Sequence, residues 1–197
     1  MVVTTNILKQ KYSDYSNPLD KIKREADAGR LIRLTRGIYE TDKNVDSPFL
    51  ACIIMPLSYL SFDWALSYYG LIPERVEAIT SASFGLRKKK TFINKFCRYE
   101  YQDVPSSVYP YGLTLIQNGT YIAKIATKEK AICDSLSKWR TVQNIKDLKE
   151  LLFLDKRINE EDFSSLDFDN ILKLAPLYHR TNLDLLTRLI RKEYKHE

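Results

Sequence analysis

The sequence predicts an α+β fold. A small N-terminal winged-helix-like segment, residues 1–47, precedes a larger domain, residues 48–197, with a mainly antiparallel sheet and a helical C-terminal part. Three observations carry this. Residues 17–39 read as helix, glycine, strand, Arg-Gly turn, strand, the layout of the second half of a winged helix-turn-helix. Asn118-Gly119 stands between two β-prone runs, the preferred chemistry for a two-residue hairpin turn. After residue 140 the apolar residues fall into successive helical stripes.

Residues 4–12, TTNILKQKY, fit one short helix, and Ser13 to Asn17 a loop. Asn17 suits an N-cap, Pro18 the first helical position, and Asp20 the first turn, where the helix dipole favours acid. Leu19, Ile22 and Ala26 form an apolar stripe and Gly29 closes the helix. Leu31 to Tyr39 then gives two short strands around a tight turn at Arg36-Gly37. In a winged helix-turn-helix, Lys21, Lys23 and Arg24 would be the helix contacts to DNA, and Arg33 and Arg36 the wing contacts to phosphates. A second reading fits the same residues. Asp20, Glu25 and Asp27 share that helix, whose face can be a solvated surface with ion pairs. A complete module needs about three helices before the wing, and only two have signals before Leu31.

Thr41 to Ser47 is polar and reads as the joint. Ser47-Pro48 opens an apolar helix over Phe49 to Met55. From Tyr59 to Arg75 lies the densest aromatic stretch, with Ser61 as cap and Gly70 as stop. Phe62, Ala65, Leu66 and Tyr69 make one face and Trp64 with Tyr68 another, so this helix is expected to be surrounded, the hub of the domain. Val76 to Thr80 alternates like a strand, as does Phe96 to Val104. Between them, residues 87–98 hold six positive charges and no acid, interleaved with Phe84, Phe92, Phe96 and Tyr99. That pattern fits a basic hairpin with inward aromatics, the role of its lysines left open.

From Ile125 to Leu136 a helix capped by Thr127 buries Ile132, Ser135, Leu136 and Trp139. Glu129 lies on that side and needs hydrogen-bond donors, whereas Lys130 and Asp134 read as an i,i+4 pair on the outer face. The remaining stripes are Ile145, Leu148, Leu151, Leu152; Phe168 to Leu174; and Leu183, Leu186, Leu189, Ile190, with Arg188, Arg191, Lys192 and Lys195 at the end.

Composition narrows the function. The chain has 197 residues, 44% hydrophobic and 28% charged, as in ordinary globular proteins. No apolar run approaches the ~20 residues of a membrane span, and the first residues do not read as a signal peptide. Cys52, Cys97 and Cys133 are odd in number and unpaired by spacing, which points to reduced thiols, a cytoplasmic location, and neither a disulfide frame nor a zinc site. The net charge is +6 with pI ≈ 9.1. It lies mostly in residues 1–47 (+2) and 48–125 (+3), and a basic balance favours nucleic acid as partner.

Only His179 and His196 are present, so histidine triads and HExxH sites are excluded. No phosphate loop or GxSxG elbow occurs, and no cofactor, metal or catalytic residue is assigned. The remote enzymatic alternative is a metal-dependent nuclease built from Asp63, Glu100, Asp103, Glu129 and Lys130.

Taken together, LIRLTRGIYE, YLSFDWALSYYGLIPE, IATKEKAICDSL and the leucine-rich tail resemble the AbiEi family of antitoxins. The resemblance spans nearly the whole chain and rests on these phrases in combination. It implies a cytoplasmic antitoxin of a type IV toxin–antitoxin, phage-defence system and no enzyme. An N-terminal winged helix would bind operator DNA and repress the operon, and a C-terminal domain would counter a nucleotidyltransferase-like toxin without necessarily touching it. Lys21, Lys23, Arg24, Arg33 and Arg36 occupy the positions where DNA contacts are expected. The short N-terminal segment departs from the family pattern, so an antitoxin or protein-interaction module without DNA binding is the alternative.

Overall fold

A computed structural model describes residues 1–194, and its architecture is α+β. The chain opens with β1 (Val2–Thr4), α1 (Thr5–Lys11), α2 (Pro18–Asp27), β2 (Ile32–Thr35) and β3 (Ile38–Glu40). The three strands form an antiparallel sheet in the order β1-β3-β2. Asn17 caps α2 as its type suggests, its Oδ1 accepting the Leu19 and Asp20 N–H groups at 3.1 and 3.3 Å. Gly29 (φ +69°) ends the helix and Gly37 (φ +81°) turns the hairpin, both in the left-handed region that glycine enters without strain. Val3, Leu8, Ile22 and Leu31 make a small core of their own. β1 had no sequence reading, and Leu19, expected in the apolar stripe, is 51% exposed.

A short 3₁₀ turn (Ser47–Leu50) and α3 (Ala51–Ile54) lead into β4 (Ser58–Leu60), α4 (Phe62–Tyr68), β5 (Ile79–Ser83), β6 (Lys90–Ile93), β7 (Arg98–Asp103), β8 (Leu113–Asn118) and β9 (Tyr121–Ala126). These strands form one sheet in the order β6-β7-β5-β4-β9-β8. The sheet is mixed: β6–β7, β4–β5 and β8–β9 are antiparallel, whereas β5–β7 and β4–β9 run parallel. The parallel pairs join strands far apart in sequence through long connections, for which no local signal exists. β5 starts at Ile79, later than the alternation of 76–80 suggested, because it is buried throughout and so need not alternate. The β8–β9 turn is also shifted by one residue. Asn118 pairs with Tyr121, which leaves Gly119-Thr120 as the loop, with Gly119 alone at positive φ.

The expected hub is only half enclosed. Phe62, Ala65 and Leu66 of α4 are buried, but Trp64 and Tyr68 stack at 5.4 Å on the open side, where Tyr68 is 52% exposed. Ser61 does not cap α4 through its side chain, since its hydroxyl turns inward. Thr80 Oγ1 instead accepts the Trp64 N–H at 3.0 Å and donates to the Ser61 carbonyl at 2.7 Å. The surrounded helix is α5 (Lys128–Leu136), buried at every residue from Lys130 to Leu136.

The helical remainder is α6 (Ile145–Lys149) running into a π turn (Glu150–Asp155), α7 (Glu160–Ser164), α8 (Phe168–Leu174), a 3₁₀ turn (Ala175–Tyr178), and α9 (Thr181–Leu189) with a π turn (Ile190–Tyr194). Leu148, Leu151, Leu152, Ile171, Leu183, Leu186, Leu189 and Ile190 enter the main core as their stripes require. Lys195 and His196 lie outside the described residues. Among the described residues no helix is long and apolar enough to cross a membrane.

Candidate nucleic-acid interface

An open groove of about 910 Å³ runs between α2, the β2–β3 hairpin and the turn after β6. Lys23, Arg33 and Arg36 line it together with Lys95, and all four are exposed; Asp27 is the acid on its wall. The two sides are joined by Asn94, whose Nδ2 donates to the Leu34 carbonyl of β2 at 3.3 Å. The same side chain accepts the Phe96 N–H at 2.9 Å, which fixes the turn that presents Lys95. Leu34 is buried in the main core, so the small sheet is anchored there.

Three of the five residues expected to touch DNA therefore meet in one place. Lys21 does not join them: its Nζ lies 2.7 Å from Glu25 and 5.0 Å from the centre of the Tyr15 ring. Glu25 is doubly held, and the hydrogen bonds from Arg30 and then Lys21 pull its carboxyl down to about 2. The Glu25 hydrogen bond in turn raises Lys21. Arg24 is exposed but outside the groove.

Lys95 was visible only as part of the basic run, with nothing local to separate it from its neighbours. The structure divides that run. Glu100 takes ion pairs from both Lys89 and Arg98, the latter at 2.6 Å, whereas Lys95 turns to the groove. The aromatics point inward as expected: Phe92 meets Tyr101 edge-on at 5.7 Å, and Tyr99 is fully buried.

A second polar cluster lies inside the molecule and corrects the outer-face reading of Lys130 and Asp134, both 0% exposed. Asp134 Oδ2 accepts the Tyr59 and Ser61 hydroxyls at 2.9 and 2.6 Å, and its Oδ1 accepts Tyr178 at 2.6 Å. Lys130 Nζ stands 3.6 Å from Asp134 Oδ1 and donates to the Val108 carbonyl at 2.9 Å and to Tyr178 at 3.3 Å. Burial pushes the Lys130 amine down and the Tyr59 and Tyr178 hydroxyls well up. With these partners and no opening to solvent, the cluster ties β4, α5, the loop at Val108 and the turn before α9 together. The sequence carried one hint of it. Ala131, Ile132, Cys133, Ser135 and Leu136 span most directions around α5, which leaves little water-facing surface for a pair between them.

The residues considered for a nuclease are dispersed. Glu100 is engaged by Lys89 and Arg98, and Asp103 accepts the Leu86 N–H at 2.8 Å. Glu129, half-buried as expected, accepts the Asp167 N–H at 3.2 Å. Lys130 is sealed in the core, and Asp63 sits in the first turn of α4. Among the described residues no three His, Cys, Asp or Glu side chains gather where they could hold a metal.

No family model matches the chain, and neither does any curated protein.

Proposed function

We propose that the chain is a cytoplasmic antitoxin of the AbiEi kind that also binds the operator of its own operon and represses it. The observation that carries the DNA-binding part is the meeting of Lys23, Arg33, Arg36 and Lys95 along one open groove. Arg33 and Arg36 come from the hairpin and Lys23 from the adjoining helix, which is how a winged helix distributes its contacts. The sheet order β1-β3-β2 with α1 and α2 against it supports the same reading. Four exposed cations facing one acid suit a phosphate backbone, and neutralising four phosphates gives a steep salt dependence, a slope of roughly −3.6 in log–log form. The toxin countered would be nucleotidyltransferase-like, following the sequence resemblance.

The test is a gel shift with DNA from upstream of the gene, titrated with salt. The Arg33→Ala/Arg36→Ala double variant is expected to bind at least tenfold more weakly and to lower the slope by about two. Unchanged binding in the double variant rejects the groove. Co-expression with the neighbouring toxin tests the antitoxin part, and failure to restore growth rejects it. The second reading, an antitoxin without DNA binding, is favoured by one observation. Lys21 and Arg30 are both bound to Glu25, so part of the positive charge near α2 is already neutralised. Growth rescue with no shift at low salt would select that reading.

A further inference from the structure

The six-stranded sheet ends differently on its two sides. At one edge, β6 carries Lys90 and follows Arg87, Lys88 and Lys89, a charge run of the kind that keeps exposed edges from pairing with copies of themselves. At the other edge, β8 reads LTLIQN, with no charge and no proline. The uncharged stretch around it runs from 104 to 123, in a chain of which 28% of the residues are charged. β8 pairs with β9 in unbroken register from Leu113 to Asn118, so no bulge twists this edge away. Leu115 and Ile122 lie on the same face of the hairpin, 65% and 54% exposed, Leu115 opposite Lys124 and Ile122 opposite Gln117.

We propose that β8 pairs antiparallel with β8 of a second copy of this chain, joining two six-stranded sheets into one across a two-fold axis. Facing residues of an antiparallel pair share a face, so the axis must bring an odd or an even position opposite itself. The register centred on Leu115, the exposed apolar side chain of β8, sets it against its own counterpart, with Leu113 opposite Gln117 and Thr114 opposite Ile116 on either side. Charge selects a second copy as the occupant. A strand without charges meets itself with no like-charge penalty, and offers no complement to an acidic or basic strand of another protein. The nearest cation on that face, Lys124, is drawn back to the Tyr109 hydroxyl at 3.2 Å, leaving its aliphatic stem beside Leu115. Pairing of five residues from each strand buries less than the ~1,200 Å² of a standard interface, so the dimer depends on concentration. The inference is independent of DNA binding.

Sedimentation of the full chain over a rising concentration series tests it. The apparent mass is expected to climb from one chain towards two, and the β8 amides to gain protection from hydrogen exchange over the same range. Leu115→Lys sets two ammonium groups face to face and should abolish the climb. Gln117→Lys, at an exposed position of the same strand, serves if circular dichroism shows the first variant misfolded. Ile93→Lys on the opposite edge should leave the dimer intact. A single-chain mass at every concentration overturns the proposal. So does a dimer that survives both β8 variants, or one that forms without protecting β8.

Discussion

Lys21–Glu25 and Lys130–Asp134 look alike in the sequence: a lysine four residues before an acid, on a helix capped by a polar residue. In the structure they have opposite fates. The first lies on α2 with nitrogen and oxygen 2.7 Å apart; Glu25 is largely covered, and Arg30, mostly in solvent, gives the same carboxylate a second cation. The second is wholly buried, yet its charges stand 3.6 Å apart, because each is also held by others: Asp134 by three hydroxyls, Lys130 by a carbonyl and a tyrosine. Spacing of four fixes which side chains are neighbours on a helix, not what the helix is packed against. The shorter contact is expected to matter less for stability, because Lys21 and, more so, Arg30 keep part of their side chains in solvent, where water competes for them. Inside, the pair is hard to break because either charge left alone has no solvent to receive it.

The largest expected effect follows from that last point. Asp134→Ala leaves the Lys130 ammonium buried without a counter-charge and should destabilise the fold by about 3–5 kcal/mol in urea unfolding. Adding Lys130→Met removes the orphaned charge and should recover a substantial part of the loss, whereas Glu25→Ala, which frees two cations that can turn to water, should lower the urea midpoint by less than Asp134→Ala does. Equal losses for Asp134→Ala and Glu25→Ala would break the comparison. Gly112→Ala probes the wall of the same cluster. A Cβ there would stand 2.9 Å from Lys130 Cβ, at a residue with φ +64°, so a loss of about 1–3 kcal/mol is expected. Arg33→Ala with Arg36→Ala changes exposed side chains that have no such enclosure, and should weaken DNA binding while leaving the thermal midpoint within a few degrees of the parent.

What could be read in the sequence, and what could not, divides along the same line. The Asn17 and Thr127 caps, the Arg36-Gly37 turn and the C-terminal leucine stripes depend on residues a few positions apart, and each stands where it was read. The partnerships that close the fold join distant segments. β4 lies beside β9, with Leu60 opposite Ile125, and Tyr59 reaches Asp134 across 75 residues. No periodicity reports such a meeting. The groove shows both cases. Lys23, Arg33 and Arg36 could be grouped because one short segment holds them, whereas Lys95 arrives from a hairpin of the other sheet and is told apart from Lys88 or Lys90 only by the Asn94 bond to Leu34. The hub shows how local density misleads: Trp64 and Tyr68 are large and apolar enough for a core, yet Trp64 is only partly buried at its edge and Tyr68, stacked on it, is exposed.

The smallest effect sharpens the comparison through pH. Glu25 has its carboxyl pulled from 4.5 to about 2 by Arg30 and Lys21, so folding favours its ionised form. A folded-state value below the unfolded one gives stability that is present in full above the unfolded value and is lost as pH falls through the folded one. The difference in thermal midpoint between the parent and Glu25→Gln should therefore be constant from neutral pH down to about 5, and close as the pH approaches 2. Added salt should shrink the same difference at neutral pH, because the Arg30 and Lys21 side chains that hold Glu25 are partly in solvent. The loss on Asp134→Ala, sealed from solvent, should be nearly insensitive to salt. If salt erased both differences alike, Lys130 and Asp134 would have to be reached by water, and the interior pair would be a surface pair after all.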